Sequence, residues 1–243
     1  MTPGPRLPCR AVFLDAGGVI VLPDRHLLAG ALARAGVRID PAAVPRAHYR
    51  AVRTLDRAAP GPKAGGTHGP KPPGTDGYPG ALFPQLGIVA GRTAEAIAVW
   101  GRLADPTRAG AVLWSEPTPG AIDTIASLRR AGLAVVIVTN SDGHAAENLA
   151  TCGFAGVPVI DSNVVGVEKP DPRIFEAALA RAGAGIRVID VVHVGDMLST
   201  DVAGARAAGV APIHFDPLRT CRAPDHRHIR TLTGVWRHIT PAT

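Results

Sequence analysis

The sequence predicts an α/β protein built on a doubly wound parallel sheet, with a helical insert after its first strand. Three observations carry that expectation. Between Pro119 and Phe215, continuous aliphatic runs alternate with amphipathic helical stretches, and strands apolar on both faces belong to parallel sheets covered on both sides. A run of the same character, Ala11 to Asp15 (AVFLD), stands roughly a hundred residues upstream and ends in a carboxylate ahead of Gly17-Gly18. The residues between are rich in alanine and arginine at helical spacing.

Taken in order, AVFLD reads as a buried strand that stops at a turn. Helical spacing follows in Leu27, Leu28 and Leu32, and again in Val44, Ala47, Ala51 and Leu55. From Pro60 to Gly80, 13 of 21 residues are glycine or proline, which forbids regular helix or strand and reads as a loop or tether. Helical patterning resumes over Ala94 to Leu103. A helix at Ala121–Arg130 then leads through Gly132 into the strand LAVVIVTN. Next come a helix at His144–Ala150, the strand VPVIDS and a helix at Pro172–Ala182. The strand VIDVVHVGD, a helix at Thr200–Ala208 and the strand VAPIHF complete the alternation. The expected organisation is a core of residues 1–22 and 117–243, interrupted by a helical unit of residues 23–116 that contains the loop 60–80.

Composition excludes several function classes. The chain has 243 residues, 46% of them hydrophobic and 19% charged, with a net charge of +6, a globular balance that excludes disorder throughout. Cys9, Cys152 and Cys221 are odd in number and unclustered, so a disulfide scaffold is excluded. The longest apolar run, Leu133 to Val138, is too short to span a bilayer. The first ten residues lack the apolar stretch of a signal peptide, so a cytoplasmic location without a membrane partner is expected. The isoelectric point near 9.9 invites a nucleic-acid reading, which needs clustered cations and stacking aromatics. Arginines are instead scattered, only Arg219 to Arg230 is locally dense, and aromatic residues make up 4%. No nucleic-acid partner is expected.

Chemistry in open parallel sheets collects at the carboxyl ends of the strands. Asp15, Thr139-Asn140, Lys169, and Asp196 with Asp201 all fall at or just after strand ends. Each alone reads as a cap, a turn or a solvated side chain. Together they converge on one rim.

The strings FLDAGGVI, VIVTNSDG, VEKPDPRIFEAAL and VHVGDMLSTDVAGARAAG resemble, in order, the four motifs of the haloacid dehalogenase-like (HAD) hydrolases. The resemblance covers residues 10–22 and 117–243. It implies a Rossmann-like core sheet, a helical cap of the C1 type in the insert, and a Mg²⁺-dependent phosphatase acting on a small phosphorylated metabolite. Residue by residue, it implies that Asp15 is the nucleophile and forms an aspartyl phosphate that water hydrolyses. Asp15, the Gly17 carbonyl and Asp196 would hold the magnesium ion, and Asp201 would orient its water. Lys169 would balance the charge of nucleophile and phosphate, and Thr139 with the Asn140 backbone amide would hold phosphate oxygens.

The sequence departs from the family pattern at Gly17, where most of its phosphatases carry a second aspartate as general acid/base. A main-chain metal ligand survives that replacement, but a proton donor normally worth about 10²–10⁴-fold does not. Three readings follow. The preferred one is a phosphatase in which a water, a substrate group or a cap residue replaces the acid. The second is a phospho-ligand-binding or regulatory protein on a decayed enzyme core. The third is another reaction of the family. Dehalogenases dispense with the metal, which the pair Asp196 and Asp201 argues against. Phosphonatases need a cap lysine, and Lys63 and Lys71 lie in the glycine- and proline-rich tract.

Cap side chains choose the substrate in this family, which makes Asp24, Arg25, His26, His48, Tyr49 and Arg50 candidates; ordinary helix-surface positions are the alternative. Asp142 is expected to cap a helix, and His193 to be buried and hydrogen-bonded. His226 and His228, with His238, lack a third close ligand, so surface positions are expected. The cysteines show no metal or redox motif.

Overall fold

The structure, a computed structural model, describes residues 4–59, 77–105 and 112–242. The chain divides into two compact units: Met1–Val21 with Pro117–Thr243, and Leu22–Glu116. The first segment carries β1 (Leu7–Cys9) and β2 (Ala11–Leu14), and β3 (Val21–Pro23) leads into the helical unit. That unit contains α1 (Arg25–Arg34), α2 (Val44–Ala58), α3 (Gly77–Gln85) and α4 (Ala90–Leu103), and the chain leaves it through β4 (Trp114–Pro117). The rest of the core runs α5 (Ala121–Arg130), β5 (Ala134–Thr139), α6 (Ala145–Leu149), β6 (Val159–Asp161), α7 (Ser162–Val165) and α8 (Arg173–Ala182). It continues with β7 (Val191–Gly195), α9 (Ala203–Ala207), β8 (Ala211–Phe215), β9 (Arg227–Ile229) and β10 (Ile239–Pro241). No described helix is long and apolar enough to cross a membrane.

Six strands form one sheet in the order β6-β5-β2-β7-β8-β9, with every neighbouring pair parallel. This is the doubly wound α/β sheet that the aliphatic runs predict. From β2 the sheet grows outward through β5 and β6, and the chain then returns to β7 on the other side of β2. Such a reversal opens a crevice at the carboxyl end of the central strand. All four residues of β2 are buried. Phe13, with no exposed surface, packs with Val136, Val138, Ile174 and Phe175, and burial of one such ring contributes about 1.5–3 kcal/mol. Helix α8 forms because Ile174, Phe175 and Ala178 line one buried face, Asp171 accepts from the Arg173 N–H at its start, and Gly183 ends it.

Three expected elements differ in detail. The strand predicted from Val188 begins at Val191, because residues 188–190 form a 3₁₀ turn closed by the Asp190 carboxylate on the Arg187 N–H. The helix expected from Thr200 is a π turn over Leu198–Val202 that feeds the short α9. The tract 60–80, expected to be irregular throughout, ends in helix. Residues 77–80 are the first turn of α3, where proline is tolerated because its absent N–H would have had no partner. Leu82 and Phe83 anchor that helix with no exposed surface. Residues 60–76, with Lys63 and Lys71, lie outside the described residues.

The helical unit has its own core. Asp24 caps α1 by accepting from the His26 and Leu27 N–H groups. Helix α2 buries Val44, Ala47, His48, Ala51 and Val52, the i, i+3, i+4, i+7, i+8 stripe of an amphipathic helix.

Candidate active site

Asp15 lies one residue beyond β2 and is held in register by its backbone N–H, which donates to the Val194 carbonyl of β7 at 2.8 Å. Lys169 arrives from the loop before α8. Its ammonium donates to Asp15 Oδ1 at 2.5 Å and to Asp201 Oδ1 at 2.7 Å, with only 3% of the lysine exposed. The backbone of that lysine is clamped by Asn140, whose Oδ1 accepts from the Lys169 N–H at 2.8 Å and whose Nδ2 donates to the Lys169 carbonyl at 2.9 Å. Sequence reasoning gave Asn140 only a backbone role. The amide clamp spans 29 residues of sequence, and nothing in local spacing announces it.

Asp201 is the most committed group. Its Oδ1 takes Lys169 and lies 2.9 Å from His193 Nε2, and its Oδ2 accepts from the Met197 N–H at 3.1 Å. The π turn brings it inward, and Gly195 makes room: a Cβ at Gly195 would overlap Asp201 Cβ and Cγ. Likewise a Cβ at Gly204 would stand 3.0 Å from Pro170 Cα and Phe175 Cε2. The glycines of the VHVGD and DVAGA strings are therefore requirements of close approach. His193 is buried and hydrogen-bonded, as expected.

Electrostatics follow from burial. Desolvation pushes the Asp15 carboxyl up to about 7, opposed by Lys169 and reinforced by Asp201 and Asp196. Burial disfavours the Lys169 ammonium, but Asp15 and Asp201 outweigh it and lift the group above the usual lysine range. Burial also opposes ionisation of Asp201, yet Lys169 and His193 hold it well below the carboxylate range. Burial keeps His193 below its ordinary value, and because a carboxylate oxygen accepts, it is the ring's Nε2–H that donates to Asp201.

Three carboxyl groups thus face one ammonium. Oxygens of Asp15, Asp196 and Asp201 all lie within 4.8 Å of one another, an all-oxygen set with surplus negative charge that fits a hard divalent cation. Both Asp201 oxygens already serve protein donors. Thr139 ends β5 and is buried. Gly17 bridges to Val21, and Gly18, at φ 80°, donates its N–H to the Val21 carbonyl at 2.7 Å.

Other expectations resolve locally. Asp142 accepts from the His144 N–H, but the first N–H of α6 is capped by Asp161 from the end of β6, which also takes the Gly143 N–H. In the helical unit Asp24 is a helix cap, and Arg25 pairs with Glu116. His48 is buried, with Nδ1 2.6 Å from the Tyr78 hydroxyl; Tyr49 is half-buried, and His26 and Arg50 are exposed.

Residues 9–209 match the family model described as haloacid dehalogenase-like hydrolase. The chain is 34% identical over 105 residues to a glyceraldehyde 3-phosphate phosphatase of Methanopyrus kandleri, covering 41% of this chain and 43% of the relative. It is 39% identical over 101 residues to a phosphoserine phosphatase of Thermus thermophilus, covering 40% of each. The chain therefore spans less than half the length of these curated relatives. Among solved structures, the HAD hydrolase YfnB of Bacillus subtilis, bound to magnesium, superposes with a TM-score of 0.61 at 17% identity, covering 94% of this chain and 97% of YfnB.

Proposed function

Because this chain belongs to the haloacid dehalogenase-like hydrolases, we propose that it is a magnesium-dependent phosphatase of small phosphorylated metabolites, acting through Asp15. The observation that carries this reading is the buried Lys169 ammonium bonded to Asp15 beside two further carboxyl groups. Phosphatases among the relatives and magnesium in a similar structure support it.

Asp15, Asp196 and the Gly17 carbonyl would hold the ion. When bound, magnesium neutralises the repulsion between an anionic nucleophile and an anionic phosphate. A carboxylate oxygen of Asp15 attacks phosphorus, the bond from phosphorus to the ester oxygen breaks, and the leaving oxygen takes up a proton. Water then attacks the aspartyl phosphate, releasing inorganic phosphate and regenerating the carboxylate. Lys169 holds Asp15 in place and offsets charge on the phosphoryl oxygens, while Thr139 and the Asn140 backbone amide bind those oxygens. Asp201 and the Asn140 side chain are positioning groups for Lys169. Gly17 offers no side-chain acid, so the leaving oxygen is protonated by water or by the substrate itself. Aryl and acyl phosphates, with better leaving groups, react faster than alkyl ones.

The test is release of inorganic phosphate from a panel of aryl, acyl and sugar phosphates, with and without magnesium, by the wild-type chain and Asp15→Asn. Magnesium-dependent turnover abolished by the substitution is expected. Tight binding of phosphate esters without turnover would favour the ligand-binding reading that Gly17 raises, and metal-free chloride release from a haloacid would favour dehalogenation.

A further inference from the structure

Well away in sequence from Asp15, β8, β9 and the connection between them gather His214, Cys221, His226 and His228, one ligand-capable atom of each lying within 4.8 Å of all the others. We infer that these four side chains form a second, structural metal site for Zn²⁺ or a similar late first-row cation, with three imidazole nitrogens and one thiolate.

The fold assembles the set. His214 and His228 are direct partners across the parallel pair β8–β9, so both side chains leave the same face. His226 stands two residues before His228, on the same side, with ring centroids 4.4 Å apart. Each of these two rings is also 5.4 Å from that of His214. Cys221 is delivered by a turn built on Asp216, whose carboxylate accepts from the Thr220 N–H at 3.0 Å and the Cys221 N–H at 2.8 Å. The spacing of His226, His228 and His238 predicts no third ligand. The structure supplies it from the neighbouring strand and a fourth from the turn, while His238 Nε2 donates instead to the His228 carbonyl. His226, expected at the surface, has a side chain only 2% exposed.

Tautomers are set for ligation. His226 Nδ1–H donates to Asp225 Oδ1 at 2.8 Å, which leaves the Nε2 lone pair 3.6 Å from Cys221 Sγ. A carboxylate behind a ligating imidazole is a recurrent outer support of zinc sites, and Arg206 pins that carboxylate at 2.8 Å. His214 Nε2–H donates to the Asp196 carbonyl at 3.1 Å, so Nδ1 carries the lone pair. His228 Nε2 is buried and makes no hydrogen bond with the described residues, a costly arrangement for a polar atom unless something binds there. Bonds of about 2.0–2.1 Å to nitrogen and 2.3 Å to sulfur give tetrahedral edges of ~3.3–3.6 Å in a site with one thiolate. The Cys221–His226 edge already has that length, and the others need small side-chain rotations. Three nitrogens and a thiolate form a closed, borderline-soft set that selects zinc over magnesium.

The test uses the full chain and metal alone. Elemental analysis of protein grown with zinc should return about one tightly held zinc per chain. Cobalt(II) titrated into metal-free protein should raise a thiolate-to-cobalt charge-transfer band, absent in Cys221→Ser. His228→Gln keeps the thiol and should weaken cobalt binding at least ~10-fold, and Asp225→Asn by ~10–100-fold. Zinc should also shield Cys221, but not Cys152, from alkylation. Lack of the band in wild-type protein, its survival in Cys221→Ser, or unchanged alkylation would overturn the site. Magnesium-dependent phosphatase activity would stand or fall separately.

Discussion

Two clusters of ligand-type side chains sit on one parallel sheet and solve opposite problems. The cluster at the ends of β2 and β7 is made of carboxyl groups around a single buried ammonium. The cluster on β8 and β9 is made of imidazoles and a thiol. Carboxylates are costly to bury, and Asp15 shows it, with its carboxyl pushed up to about 7. Neutral imidazoles are far cheaper to bury, so the second cluster can close around an ion. Oxygen ligands with surplus charge suit an ion that keeps water and exchanges, as catalysis needs. A nitrogen and sulfur cage suits one that stays. His214 joins the two, since its Nε2–H holds the Asp196 carbonyl.

The largest effect is expected from Asp15→Asn, which should lower phosphate release by about 10⁴-fold or more while leaving zinc content unchanged; a phosphate assay beside elemental analysis reads both. Lys169→Met comes next. It leaves Asp15 and Asp201 buried without their cation, a cost of about 3–5 kcal/mol in urea unfolding together with loss of turnover. Gly195→Ala should destabilise the fold by about 1–3 kcal/mol, because the new methyl displaces Asp201 and through it Lys169. A variant as stable and active as wild type would show that Asp201 does not hold the lysine.

A further test is pH dependence. A carboxyl with a raised folded pKa adds stability below its unfolded value near 3.8 and loses it as pH rises through about 7. Metal-free protein should therefore melt progressively lower from about pH 4 to about pH 7 and level off above that, with a flatter profile in Asp15→Asn. Magnesium should recover the loss at the alkaline end. Equal slopes in the two proteins would mean that Asp15 is not the strained group.

Much of the candidate rim is legible in sequence because its members are strand-end residues, and continuous apolar runs locate strand ends well. Asp15 follows AVFL, Thr139 ends AVVIVT, and Asp196 follows VVHVG. Helix α8 is equally plain, since Pro172, the buried stripe and Gly183 are local signals. Legibility fails where a contact joins distant segments. The Asn140 clamp on Lys169 and the capping of α6 by Asp161 both reach across the fold. The π turn at Leu198–Val202 also escapes, because its hydrophobic spacing matches an ordinary helix while its bonding does not.

Local order and chain-wide patterning, which depend on neighbours in sequence, determined the α/β class, the helical insert, the four motif strings and the residues at the rim. Distance in the folded chain alone settles that Lys169 joins Asp15 to Asp201, why Gly195 and Gly204 leave no room for a side chain, and that His214 and Cys221 complete a set with His226 and His228. Those are matters of distance between elements that close packing brings together, and no spacing along the chain encodes them.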